Sequence, residues 1–187
     1  MSLKRGILGL LSLKPMGGYD LVKTFNSSLK YFWSAQSSQI YRELDDLSAA
    51  GFIRTEMKTQ RGRMTKTLFA PTEKGLEELD RWLRESALER PRIRNPFLLR
   101  LFFQARCGED SVRALVEEKK ARVEAEAAQL RRVLEETIPQ RSSQAGDELT
   151  TLCWKEAAEY GIASCEAEIR WAEAFLARIG AHEGEGS

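Results

Sequence analysis

Apolar residues recur at helical spacing along most of the chain and alternate over only one short stretch. Residues 4–13 place Ile7, Leu8, Leu10, Leu11 and Leu13 around a helix that "KPMGG" ends with a proline and two glycines. Helical spacing resumes in "YDLVKTFNSSL" through Leu21, Val22 and Phe25. An aromatic connector with little periodicity, "KYFWSAQ", comes next. In "SSQIYRELDDLSAAGFIR" the residues Ile40, Leu44 and Leu47 fall at i, i+4 and i+7, which predicts one buried stripe, and Gly51 serves as the C′ glycine that stops the helix. "FIRTEM" and "TKTLFA" carry β-branched and aromatic residues on either side of the basic, glycine-containing "KTQRGR", which predicts a hairpin with a charged tip. Thr72, after Pro71, is the expected N-cap of a further helix whose stripe is Leu76, Leu79, Trp82 and Leu83. Three helices, a hairpin and a fourth helix follow the order of a winged helix-turn-helix domain.

"ERPRIRNP", residues 89–96, combines two prolines with three arginines and marks a boundary. Beyond it the pattern is all helical. "FLLRLFFQA" is short and very apolar, Asp110 is the expected cap of a charged helix from Ser111 to Thr137 stopped at Pro139, and "RSSQAGD" is a polar loop. A last helix from about Glu148 to Ile179 carries Leu149, Leu152, Trp154, Tyr160, Ile162, Ile169, Trp171, Phe175 and Leu176. Two long helices enclose little core alone, so a second copy of the chain is the expected cover. The fold class is therefore mainly α with a small β-hairpin. A winged helix-turn-helix domain occupies 1–90, an all-helical dimerisation domain 91–180, and a disordered tail 181–187.

Charge sharpens this division. The net charge is only +1, yet 15 lysines and arginines stand against 11 acids up to Arg90, and 14 against 17 after it. The excess is densest in "RTEMKTQRGRMTK", where five basic residues accompany one acid. With Ile40 at zero and about 100° per residue, Leu44 and Leu47 face inward, Ser38 and Arg42 lie nearly opposite, and Gln39 and Tyr41 flank them. Serine, glutamine and arginine at the amino end of a third helix suit base edges and phosphates in a major groove. Asp45 and Asp46 would repel a polyanion, so the carboxyl half should tilt away while Arg61, Arg63 and Lys66 of the wing reach adjacent phosphate or minor groove. Mixed charge on the outer face is also the ordinary pattern of a surface helix.

"ILGLLSLKPMGGYDL", "FWSAQSSQIYRELDDLSAAGFI" and "LFAPTEKGLEELDRWL" resemble the PadR family of bacterial transcriptional regulators, with every motif in order from residue 5 to about 85. "EAEIRWAEAFLARI" is similar to the C-terminal helical domain of the longer, virulence-activator-type subfamily. The resemblance implies a homodimer held by the C-terminal helices, with two winged heads on a pseudo-palindromic double-stranded operator. It also implies what is usually a repressor, released in some members of the family by a small aromatic or amphipathic effector. Carried over residue by residue, Tyr19, Ser37, Ser38, Gln39, Tyr41 and Arg42 match the DNA-facing motif, and Arg61, Arg63 and Lys66 match the wing by placement. Phe69 stands where many members have tyrosine, so a hydroxyl contact there is lost.

The remaining conspicuous residues have structural readings. Phe32 and Trp33 are expected in the core or as a brace. Trp154 and Trp171 either line an effector pocket at the dimer seam or pack. Cys107, Cys153 and Cys165 are odd in number, lack ligand spacing and are expected as buried small apolar groups; with His182 as the single histidine they make no metal site. Glu117, Glu118, Glu135 and Glu136 lie among Lys119, Lys120, Arg131 and Arg132, where i, i+4 pairing explains them. No phosphate loop, nucleophile triad or metal box appears, so neither enzyme nor cofactor is expected. "KRGILGLLSLKP" is too short for a signal peptide and lacks a cleavage site, no stretch is long enough to span a membrane, and a reducing cytoplasmic setting follows. The alternatives are a winged-helix protein-interaction module and a ligand-binding dimer without sequence-specific DNA binding.

Overall fold

The computed structural model describes residues 3–29, 33–58, 66–85, 94–140 and 147–184. Two compact units divide the chain: Met1–Leu88 with Pro139–Thr151, and Glu89–Ile138 with Leu152–Ser187.

The first unit contains α1 (Leu3–Leu13), α2 (Gly18–Ser28), α3 (Ser37–Ala49), β1 (Ile53–Lys58), β2 (Lys66–Pro71) and α4 (Glu73–Glu85). α1 is the central element and packs on α2, α3, α4 and β2. Its Ile7, Leu8 and Leu11 meet Leu21 and Phe25 of α2, and Ile40, Leu44 and Leu47 of α3, in one core closed by Met16, Ile53 and Leu79. Burying each such side chain contributes about 1.5–3 kcal/mol, which holds α3 by its inner stripe and leaves its outer face free.

β1 and β2 pair antiparallel from Ile53↔Pro71 to Lys58↔Lys66. Met16 adds a bridge on the other edge of β2, exchanging hydrogen bonds of 3.1 and 2.8 Å with Phe69. Phe69 packs partly buried against the core. α3 ends in a Schellman motif. Gly51, at φ 72°, donates to Ser48 O at 3.0 Å and Phe52 donates to Leu47 O at 2.9 Å, a left-handed turn that favours glycine.

Several expectations change in detail. In α4 the buried positions are Gly75 and Leu79, with Trp82 partly buried, while Leu76 and Leu83 are 42% and 65% exposed. With apolar residues on two adjacent faces, the close approach of Gly75 to its neighbours decides which face turns inward. Trp33 is 39% exposed rather than core, and Phe32 lies outside the described residues.

The second unit contains α5 (Pro96–Gln104), α6 (Glu109–Arg132) and most of α7 (Glu148–Gly184), with α6 widening into a π-helical turn at Val133–Thr137. The N-cap of α6 is Gly108, at φ 86°, and Asp110 lies inside the first turn instead of capping it. Helix continues through Pro139 to residue 140, because the missing N–H follows directly on the π turn, where the regular ladder is already interrupted. α7 extends past Ile179 to Gly184, into the expected tail; one glycine at 180 costs about 1 kcal/mol, too little to end a long helix. Residues 185–187 lie outside the described residues.

α6 and α7 run antiparallel. Ala158, Ile162, Cys165, Ala172 and Ile179 of α7 and Val116, Val123, Ala127 and Leu130 of α6 are buried. The small residues permit close approach: a Cβ on Gly161 would lie 3.0 Å from Leu130 Cδ1. Ion pairs border the seam, with Arg131 to Glu166 at 2.8 Å, Lys120 to Glu173 at 2.9 Å, and Lys119 to Glu168. The hydrogen bond to Glu173, helped by the charges of Glu173 and Glu124, raises the Lys120 pKa against an opposing desolvation. Within α6, Arg113 pairs with Glu109 and Arg122 with Glu118 at i, i+4.

Candidate nucleic-acid interface

The amino end of α3 begins after Gln36, whose extended backbone turns the chain into the helix. Gln39 is at N3, and its Oε1 accepts the Gln36 N–H at 2.8 Å, one half of a capping box. Ser37, Ser38, Gln39, Tyr41 and Arg42 are all exposed, while Ile40 between them is fully buried. Ser38 and Arg42 are one turn apart on the outer face, rising about 6 Å along the axis. Asp45 and Asp46 are exposed further along.

Tyr41 is 46% exposed, and its ring rests on Gly18 at the start of α2. The neighbouring Tyr19 is 75% exposed. Tyr19 therefore belongs to the same corner as the amino half of α3. α2 begins after Gly17, whose extended backbone at φ -71° and ψ 157° turns the chain into the helix beside these tyrosines. The sequence treated Gly17 and Gly18 only as helix breakers; the structural role of Gly18 is to receive the Tyr41 ring. A double glycine before an exposed tyrosine was the available signal.

Arg61 and Arg63 lie outside the described residues, and only the backbone of Lys66 is described, at the start of β2. Of the other basic residues near the hairpin, Arg54 is already engaged, donating to Pro71 O at 3.0 Å and to Glu56 at 2.7 Å.

The two tryptophans differ in setting. Trp171, 36% exposed, lies edge-on to Phe97 at 5.8 Å and tilted on Phe175 at 5.7 Å. Trp154 is partly buried and lies 17 residues earlier on the same helix. That is about 25 Å along the axis, so one protomer does not bring both to one small ligand. Cys107 and Cys153 are exposed, contrary to expectation, and only Cys165 is buried. Their helices place 107 and 153 on solvent-facing turns, whereas 165 falls in the α6–α7 seam. Desolvation, with Glu126 and Glu168 nearby, raises the Cys165 pKa and makes it a poor nucleophile. Among the described residues no helix is long and apolar enough to cross a membrane.

A three-helix head with a β-hairpin wing, whose third helix presents a polar amino face, defines a winged helix-turn-helix protein carrying a second, helical unit. Residues 7–81 match the transcriptional regulator PadR-like family and residues 93–180 match the virulence activator alpha C-terminal family. The chain belongs to the PadR-like family of transcriptional regulators.

The negative transcriptional regulator PadR of Bacillus subtilis is 37% identical over 101 residues, 54% of this chain and 56% of that protein. The chain spans about half the length of the curated relatives it matches. Solved structures extend the likeness. B. subtilis PadR in complex with operator DNA aligns at a TM-score of 0.76 and 25% identity, covering 96% of this chain and 99% of that one. Its complex with p-coumaric acid aligns at 0.73 over the same shares. A Streptococcus mutans UA159 protein, smu.1604c, aligns at 0.75 with 30% identity, covering 93% of this chain and 98% of that one.

Proposed function

We propose that the protein is a sequence-specific DNA-binding regulator of transcription, a homodimeric repressor released by a small aromatic or amphipathic effector in the cytoplasm, and not an enzyme. The observation that carries this reading is the amino half of α3, where Ser37, Ser38, Gln39, Tyr41 and Arg42 are exposed around a buried Ile40. The likeness to a protein solved on operator DNA supports the same use of this face. Arg42 is the base-reading candidate. Tyr19, Ser37, Ser38 and Tyr41 serve base edges or phosphate, and Arg61, Arg63 and Lys66 serve the wing contact.

The dimer is supported by the second unit. On α5, Leu98, Leu99, Phe102 and Phe103 are 50%, 67%, 81% and 58% exposed, and on α7 Leu152 and Tyr160 are 50% and 79% exposed. So many exposed apolar side chains on two helices suit an interface between copies. The effector reading draws on the relative bound to p-coumaric acid. Trp154 is the better placed candidate here, because the Trp171 ring already lies against Phe97 and Phe175. A site using both would need two copies of the chain. Selection of random duplexes by the full-length protein should enrich a twofold-symmetric motif. Recovery of no common motif would reject the reading.

A further inference from the structure

Three consecutive carbonyls, of the α3 C-cap Ala50 and of Gly51 and Phe52 directly after it, accept hydrogen bonds from the corner between β2 and α4. Lys74 Nζ donates to Ala50 O at 2.8 Å, Thr72 Oγ1 to Gly51 O at 2.7 Å, and the Thr72 N–H to Phe52 O at 2.9 Å. The Thr72 hydroxyl also accepts the Gly75 N–H at 3.2 Å, so one side chain caps α4 and ties down the end of α3. A Cβ on Gly75 would lie 2.1 Å from Phe52 O, so the corner closes only over glycine. The ammonium groups of Lys4 and Lys74 lie 3.8 and 4.7 Å from the Phe52 ring centroid, adding a second hold on the same residue.

We propose that Thr72 and Lys74 are positioning residues for DNA recognition, fixing the direction in which α3 presents its amino half. The proposal rests on the reading of α3 as the recognition helix. Water can satisfy exposed carbonyls at a helix end, so saturation alone does not call for an ammonium and a hydroxyl supplied by another element. What these donors add is direction. The stripe of Ile40, Leu44 and Leu47 binds α3 to the core along one line, and the clamp fixes the carboxyl end so that the helix axis does not swing across the core. Ser38 lies about 18 Å from Ala50 along the axis. A tilt of a few degrees there moves the reading side chains by ~1 Å, beyond the roughly 0.5 Å within which a recognition constellation must be held.

The test compares Thr72→Val, which keeps shape and removes the hydroxyl, with Thr72→Ser, which retains it, and with Lys74→Met, which keeps the stem and removes the charge. Full-length proteins are titrated with the selected operator and a scrambled duplex, well below their melting temperatures. Thr72→Val and Lys74→Met should each lose about tenfold in preference for the operator, the equivalent of one lost cap-sized interaction, with scrambled binding unchanged. Thr72→Ser should behave as the original protein. Lower melting temperatures with undiminished preference would overturn the proposal and leave Thr72 a helix cap only. If Thr72→Val does not fold, Lys74→Met alone decides, because Lys74 is exposed. An original protein with no operator preference rejects the reading of α3 itself, a result visible before any variant is made.

Discussion

The Tyr41 ring lies against Gly18 so closely that a Cβ on the glycine would be 2.7 Å from Tyr41 Cε1. One residue starts α2 and the other belongs to α3, so this contact sets where Tyr41 stands between the two helices. Gly18→Ala should displace the ring. Because Tyr41 is 46% exposed the ring can move, and stability should change by less than ~1 kcal/mol. Operator affinity should fall. A double-mutant cycle with Tyr41→Phe, followed by duplex binding, checks this: the two losses should be non-additive, and independent losses would separate Gly18 from Tyr41.

Gln39 has two tasks that a single substitution separates. Its Oε1 accepts the Gln36 N–H, and glutamate at the same N3 position keeps that acceptor while placing a negative charge at the helix amino end. Gln39→Glu should therefore preserve or raise stability, by about 0.3–1 kcal/mol, yet weaken binding to every duplex. Urea unfolding and duplex titration of one preparation measure both. Loss of stability together with affinity would mean that the cap is not formed.

Asp147 caps α7, accepting the Thr150 N–H at 2.7 Å and the Thr150 hydroxyl at 3.0 Å. The backbone bond first, and the hydroxyl second, hold its pKa below the ordinary 3.8. A depressed carboxylate contributes stability that is fully present above its unfolded value and is lost as pH falls through the folded one. The difference in melting temperature between the original protein and Asp147→Ala should thus be constant at neutral pH and shrink below about pH 4. A difference that persists unchanged in acid would assign the effect to something other than the ionised cap.

The exposed apolar face of α5 gives the oligomer prediction. Phe102 is 81% exposed, so Phe102→Glu should leave the protomer folded, with its circular dichroism unchanged. Sedimentation should then show a dimer for the original chain and a monomer for Phe102→Glu. A dimer that survives Phe102→Glu and Leu99→Glu would move the interface off α5.

Much of the fold was legible because its stripes follow one period. Ile40, Leu44 and Leu47 are buried as their spacing predicts, and Gly51 ends α3 with the left-handed turn expected of it. The α4 stripe was less legible. Leu76 and Leu83 offered a face as apolar as the true one, and the choice lay in Gly75 meeting Phe52, a contact between distant residues that no local pattern encodes. Cys107 and Cys153 failed for a related reason: composition ranks cysteine as a buried type, while the side of the helix decides the individual case. The exposed face of α3 could be read from helical geometry, but the engagement of Gln39 with Gln36 could not, since amides at N3 pair with the backbone or remain free according to their rotamer.

The most direct measurement is fluorescence anisotropy of the full-length protein and of Arg42→Ala, each against the selected operator and a scrambled duplex across a salt series. The account predicts salt-sensitive binding that favours the operator by about a thousandfold, and a loss of about 1–3 kcal/mol of that preference in Arg42→Ala with little change on scrambled DNA. Equal affinity of the original protein for both duplexes at every salt concentration would contradict it.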